Sequence, residues 1–258
     1  MSGQPILFSR TATSCCLTLN REDKCHAINE EMIELLDHYL DDIENSATLR
    51  LVELTANGKQ FFCAGGDIKS WSGYSPLNMG RKWIKRGNQV FSRLRNLPQL
   101  TIANINGHTI GGGIELALCC DIRIARPHAT FSTPEVTLGM IPGWMGIERL
   151  LNQVGPNLAR QMLMLGKRLT AQQALTTGLI NEIVDQDQTG DWIANQLTHL
   201  EKCAPAALAH IKQLILTLEN KHTEYQHQLL AGLMSATQDC QQATRVFGQK
   251  CDINFQNQ

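Results

Sequence analysis

Residues 105–121 read INGHTIGGGIELALCCD, directly after the run LTIAN at 100–104. The stretch Leu100 to Asn106 is β-prone and is broken by Gly107. Gly111-Gly112-Gly113 then opens an apolar run, Ile114 to Cys120, that reads as a helix. Glycines between a strand and a helix leave the first amide hydrogens of the helix without intrahelical partners, at the end where the helix dipole favours negative charge. The spacing excludes the commoner phosphate cradles. A dinucleotide fingerprint would need glycine where Leu116 stands, and the chain has neither a Gly-Lys-Ser/Thr loop nor a G-x-S-x-G elbow.

A second glycine constellation, Ala64-Gly65-Gly66-Asp67, follows the short strand Phe61 to Cys63. Taken alone it is a tight turn; beside the first run it would supply a second backbone donor, and the two could form one oxyanion hole. Two carboxylates lie near these turns in sequence. Glu115 is flanked by Ile114 and Leu116, either buried among apolar neighbours or facing solvent in the first helical turn; Glu135 follows Pro134, either in a solvated loop or at the same site. Together they could position water and exchange protons, with burial raising one pKa. None of the eight histidines has ligand spacing with a supporting carboxylate, so no metal site is expected. His26 and His108 adjoin turn segments and merit attention.

Working outward, Ser14 to Leu19 reads as a strand, followed by a helix on which Met32, Leu35, Leu36, Tyr39, Leu40 and Ile43 recur at helical spacing, with Asn29 as N-cap and Glu30 and Glu31 in its first turn. Leu51 to Thr55 is a buried strand, Asn57-Gly58 a turn, and about Met79 to Leu94 a helix. Strand-like Ile122 to Ala125 and Thr130 to Ser132 follow. Short strands alternating with helices predict an α/β core over residues 1–190 with parallel pairing through crossovers. From Asp191 the pattern is helical only, which predicts a C-terminal helical region over 191–258.

The chain has 258 residues, 43% hydrophobic and 18% charged, with 23 basic and 24 acidic side chains. That supports a globular core, and a net charge of −1 gives no electrostatic case for nucleic acid or an anionic membrane as partner. Nine scattered cysteines without a C-x-x-C pair fit a reducing compartment better than a disulfide framework. The opening MSGQPILFSR has no secretory pattern and no long apolar span follows, so a cytoplasmic protein is expected.

Three blocks, FCAGGDIK at 62–69, INGHTIGGGIELALCCD at 105–121 and STPEVTLGMIPG at 132–143, resemble the enoyl-CoA hydratase (crotonase) superfamily, and the likeness runs in order from about Ile6 to Phe255. The resemblance implies repeated β-β-α units forming two roughly perpendicular sheets, with a helical C-terminal region that mediates trimers, which in this family commonly pair into hexamers. It implies that the amides of Gly66 and Gly112 hold a thioester oxygen and that backbone groups at Ala64, Gly66 and Ile68 meet the adenine of coenzyme A. Lys24 is implied as a phosphate or adenine neighbour, Glu115 and Glu135 as the catalytic pair, and Gly143 as the glycine whose amide helps hold water. The implied activity is hydration of trans-2-enoyl-CoA to 3-hydroxyacyl-CoA, with the CoA part of the substrate and no separate cofactor. A Δ3,Δ2-enoyl-CoA isomerase, which typically needs only the Glu135 carboxylate, is the nearest rival. A CoA-thioester- or RNA-binding member with little catalysis is the rival of another class. The chain departs from the family pattern at Glu22, His26 and Met145. Met145 replaces a glycine, so it is expected either to fill acyl-pocket volume or to restrict the loop between Gly143 and Gly146.

Overall fold

A computed structural model of the protein describes residues 3–219, together with residue 238. In chain order the elements are β1 (Ile6–Arg10), β2 (Ser14–Leu19), α1 (Glu30–Glu44), β3 (Leu51–Ala56), β4 (Phe61–Cys63), α2 (Ile68–Trp71), α3 (Pro76–Asn78), a π-helical segment Met79–Ile84, α4 (Lys85–Asn96), β5 (Leu100–Ile105), β6 (His108–Ile110) and α5 (Gly112–Ala117). Then come β7 (Ile122–Ala125), β8 (Thr130–Ser132), a 3₁₀ turn Glu135–Leu138, α6 (Gly146–Leu165), β9 (Leu169–Thr170), α7 (Ala171–Thr176), β10 (Glu182–Ile183), α8 (Thr189–Leu200) and α9 (Pro205–Glu219).

The strands form a six-stranded sheet ordered β1-β2-β3-β5-β7-β10 and a four-stranded sheet ordered β4-β6-β8-β9. Among the described residues only the pairs β1/β2 and β8/β9 are antiparallel. Each repeat gives its first strand to the large sheet and its second to the small one: β3 then β4, β5 then β6, β7 then β8. This is the expected β-β-α organisation. Short turns carry the chain between sheets, and Asn106 secures two of them by donating from Nδ2 to the carbonyls of Ala56 (2.8 Å) and Gly58 (2.9 Å).

The large sheet is covered on both faces, so its central strand β5 is buried from Thr101 through Ile105 without alternation, its polar Thr101 and Asn104 paired with Asp121 and Glu53. On one face lies α1, begun by Asn29 capping the Met32 amide (2.9 Å) and burying Met32, Ile33, Leu36, Tyr39, Leu40 and Ile43. Ion pairs from Arg86 and Arg93 on α4 to the shared Asp37 hold α1 against α4. On the other face Leu51, Ile102, Ile124, Val184 and Leu200 form a smaller cluster that places α8 against the sheet.

The helices after Asp191 are present as α8 and α9 through Glu219, with Pro205 opening the second; the rest of the 191–258 region, including Cys240 and Cys251, lies outside the described residues. Two boundaries differ from expectation. The helix expected at 79–94 extends over Pro76 to Asn96 and contains the π-helical segment. The helix expected at Ile114 to Cys120 begins at Gly112 and stops at Ala117, after which the Cys119 and Cys120 amides tighten onto carbonyls three residues back. The sequence reading assigns no element to α6, in which two helical stretches meet at a kink at Gly155-Pro156 and which ends at Gly166 in the left-handed conformation.

The third glycine of the 111–113 run sets how closely α5 approaches β4. A Cβ on Gly113 would stand 2.4 Å from the Cys63 carbonyl oxygen, a backbone atom that cannot rotate away. Gly113→Ala is therefore expected to destabilise the fold by about 1–3 kcal/mol, measured as a lowered denaturant midpoint at unchanged m-value.

Candidate active site

The parallel neighbours β4 and β6 end side by side, so the glycine turns that follow them are adjacent. An ideal Cβ on Gly112 would sit 3.3 Å from the Gly66 nitrogen, and one on Gly65 would sit 3.2 Å from the Gly112 nitrogen. Surrounding backbone bonds fix both turns: Ile28 donates to the Gly65 carbonyl (2.7 Å), Asp67 donates to the Ile28 carbonyl (2.7 Å), and Gly111 donates to the Ser132 carbonyl (2.8 Å). Among the turn, loop and cap hydrogen bonds of the described residues, none uses the amide of Gly66 or Gly112. Both glycines line one cavity together with Glu115 and Glu135.

Glu115 sits in the first turn of α5 and is only 3% exposed. Its Oε1 accepts from the backbone amides of Trp144 (2.7 Å) and Gly146 (2.9 Å), so the loop before α6 closes over the carboxylate. Burial is the main cause that pushes its pKa up, the two amides oppose the rise and the nearby Glu135 charge adds to it, leaving the carboxyl at about 7. Glu135 opens the 3₁₀ turn after β8. Its Oε1 lies 2.7 Å from where a Cβ on Gly111 would stand, and Gly111 also has φ of 54°, so both space and backbone conformation call for glycine there. The Glu135 Oε2 is buried without a hydrogen-bond partner, and burial raises this carboxyl as well. The two carboxylates thus share one cavity, and the solvent-facing alternative for Glu115 is set aside.

Ala64, Ile68 and Gly143 also line the cavity. The Gly143 carbonyl accepts from Asn88 Nδ2 (3.2 Å). Lys24 stands on an exposed turn, its side chain 54% exposed and 3.3 Å from Asp23, outside the cavity lining. Neither histidine enters the cavity. His26 is buried, with Nδ1 accepting from the Arg21 amide (3.0 Å) and Nε2 against the Asn57 carbonyl (2.9 Å); His108 pairs with Thr130 (3.0 Å). Glu22 packs its carboxylate against Gly58. These departures shape the turn beside Asn57, where Arg21 also reaches Asp67 (3.0 Å) and ties the 21–28 segment to the first glycine turn.

Met145 does not fill the cavity. Its side chain is 43% exposed and its φ of 65° places it in the left-handed region, so the backbone that turns both neighbouring amides toward Glu115 also turns this side chain outward. The residues that do fill the space are Trp71, Trp83 and Trp144. Sequence reading missed them, because nothing in local periodicity brings positions 71, 83 and 144 together; the only local trace is Gly87, whose missing side chain leaves room for Trp144.

Repeated β-β-α units shared between two sheets, with paired glycine turns over a cavity holding two carboxylates, define a crotonase-type enzyme. The chain belongs to the enoyl-CoA hydratase/isomerase family, whose profile matches residues 9–258. It is 36% identical over 213 residues to the short-chain-enoyl-CoA hydratase of Clostridium acetobutylicum, covering 81% of this chain and 80% of that one. It is 30% identical over 266 residues to the crotonyl-CoA hydratase of Syntrophomonas wolfei, covering 99% of both. The fold superposes on the crystal structure of an enoyl-CoA hydratase from Bacillus anthracis with a TM-score of 0.92 at 28% identity, over 99% of this chain and 100% of the other. Among the described residues no group of three or more His, Cys, Asp or Glu could hold a metal ion, and no helix is long and apolar enough to cross a membrane.

Folding raises the Glu115 carboxyl from 4.5 to about 7, so its ionised form opposes folding. The penalty is absent at pH well below 4.5, grows as pH rises between the two values, and reaches on the order of 3 kcal/mol above the upper one. Glu115→Gln retains an oxygen for the two amides and removes the charge. It is expected to gain about 2–3 kcal/mol more stability over the parent at about pH 8.5 than at about pH 5, measured by urea unfolding at both.

Proposed function

We propose that this enzyme adds water across the double bond of trans-2-enoyl-CoA thioesters to give 3-hydroxyacyl-CoA. The observation that carries the reading is the shared cavity: two glycine amides without protein partners beside two buried carboxylates. An isomerase needs one carboxylate to move one proton, whereas hydration needs a base for water and an acid for carbon, and the second buried carboxylate favours hydration.

In this reading the Gly66 and Gly112 amides donate to the thioester oxygen. Ionised Glu115 takes a proton from water as the water oxygen bonds to the β carbon. The double-bond electrons move onto the thioester oxygen as an enolate, which the two amides stabilise. Protonated Glu135 then delivers its proton to the α carbon as the carbonyl re-forms. Glu115 ends protonated and Glu135 ionised, and a proton passes between them through the next water to reset the site. Burial raises both carboxyls and the Glu135 charge raises Glu115 further, so the two proton equilibria are linked.

Gly143 is assigned to help hold the water, backbone groups of Ala64, Gly66 and Ile68 to meet the adenine, and Lys24, on its exposed turn, to approach the CoA phosphates. The CoA arrives as part of the substrate and no resident cofactor is needed. The region 191–258 is assigned to trimer formation, with hexamers as paired trimers; α9 leaves Ile211, Ile215 and Leu218 about half exposed, an apolar stripe suited to a subunit contact. A reducing, cytoplasmic setting fits the cysteines at positions 15, 16, 25, 63, 119, 120 and 203, which are all free thiols.

Mixing the protein with crotonyl-CoA is expected to bleach the ultraviolet absorbance of the conjugated thioester and yield 3-hydroxybutyryl-CoA. Glu115→Gln and Glu135→Gln are each expected to lower kcat by about 10²–10⁴-fold while thioester affinity changes little. Near-normal turnover in both variants refutes the assignment, and sensitivity to Glu135 alone together with double-bond migration replaces hydration by isomerisation. Light scattering is expected to return a mass of three chains or a multiple of three; a stable monomer contradicts the trimer.

A further inference from the structure

We infer that Trp144 is the end wall of the acyl pocket and restricts this enzyme to short acyl chains, with Gly87 the residue that admits the wall. The inference rests on the enoyl-CoA reading of the cavity and adds the substrate class. Trp144 is only 2% exposed, yet its ring lines the cavity. One edge of the indole lies against the two oxyanion glycines: a Cβ on Gly112 would stand 2.7 Å from Cζ3, and one on Gly66 would stand 3.5 Å from Cη2. The opposite edge reaches α4, where a Cβ on Gly87 would stand 2.2 Å from Nε1. The ring therefore spans the whole distance from the thioester-oxygen site to the helix behind it.

This wall is fixed. Trp83 and Phe91 pack on the indole with ring centroids 5.1 and 5.0 Å away, and the Trp144 backbone amide is bonded to Glu115. Any rotation of the ring must displace two buried aromatic neighbours, and any shift of its backbone disturbs the carboxylate. An acyl chain whose thioester oxygen sits on Gly66 and Gly112, and whose α and β carbons lie between Glu115 and Glu135, has little length left before it meets the indole. Met145, the neighbouring departure from the family pattern, points away and leaves this geometry untouched.

Binding of saturated thioesters tests the wall without turnover. In an open apolar channel each added methylene tightens binding by about fourfold, so four of them give about 100-fold or more. Calorimetric titration of the full-length protein with butyryl-CoA and octanoyl-CoA is expected to show octanoyl-CoA binding no tighter than butyryl-CoA. Trp144→Ala is expected to shift that ratio toward octanoyl-CoA by about tenfold or more, and Trp144→Phe by less. If Trp144→Ala fails to fold, the parent ratio and the Phe variant still decide. Octanoyl-CoA binding to the parent tens of fold more tightly than butyryl-CoA overturns the wall, as does an unchanged ratio in folded Trp144→Ala. These outcomes separate from the fate of the hydratase reading: crotonyl-CoA hydration alongside an octanoyl-CoA preference sinks only the wall, whereas a short-chain binding preference without hydration sinks only the reaction.

Discussion

The close approach of two backbone turns, Ala64 to Gly66 and Gly111 to Gly113, is the constraint on which the site depends. It exists because β4 and β6 run parallel as neighbours and end at the same level, and because no Cβ intervenes. At Gly113 a side chain would collide with the Cys63 carbonyl, at Gly111 with the Glu135 carboxylate, and at Gly112 with the Trp144 ring. Each glycine is thus set against a different partner, and the run of three serves three separate contacts. What remains at the meeting point is a pair of amides with no protein acceptor, held in place by the Ile28 and Ser132 backbone bonds on either side.

That arrangement brings a cost with it. The same packing that fixes the amides buries Glu115, and the loop from Gly143 to Gly146 must adopt a left-handed residue at Met145 to turn two amides onto the carboxylate. A raised pKa is the thermodynamic expression of this burial: stability is given up at alkaline pH, and a carboxylate able to exchange protons near neutrality is obtained. The unpartnered Oε2 of Glu135 has the same character, a buried polar atom left open toward the cavity.

The aromatic filling behind the glycines links the site to the rest of the core. Trp144 follows Gly143 in sequence, but its ring is seated by Gly87 and Phe91 on α4, and α4 is in turn held to α1 by the arginine pairs to Asp37. Cavity shape is therefore a property of helix packing outside the glycine turns.

Local features were legible along the chain. The Asn29 cap, the buried face of α1, the strands around residues 51, 100 and 122, and the glycine turns follow from periodicity, capping and backbone freedom, all of which act over a few residues. Resemblance to a family then pointed to Glu115, Glu135, Gly66 and Gly112. By themselves, residue types left Glu115 balanced between core and solvent, because the amides that bind it come from positions 144 and 146, some thirty residues further on. Attention fell on Met145, the departure visible in sequence, when its neighbour Trp144 occupies the cavity. Met145 is exposed while Trp144 is buried against Gly87 and Phe91, and only the packing of α4 decides which of the two faces inward. The sequence by itself determined the secondary elements and the chemical groups available; the tertiary structure alone decided which groups share a cavity, because burial and charge proximity depend on strands and loops far apart in the chain.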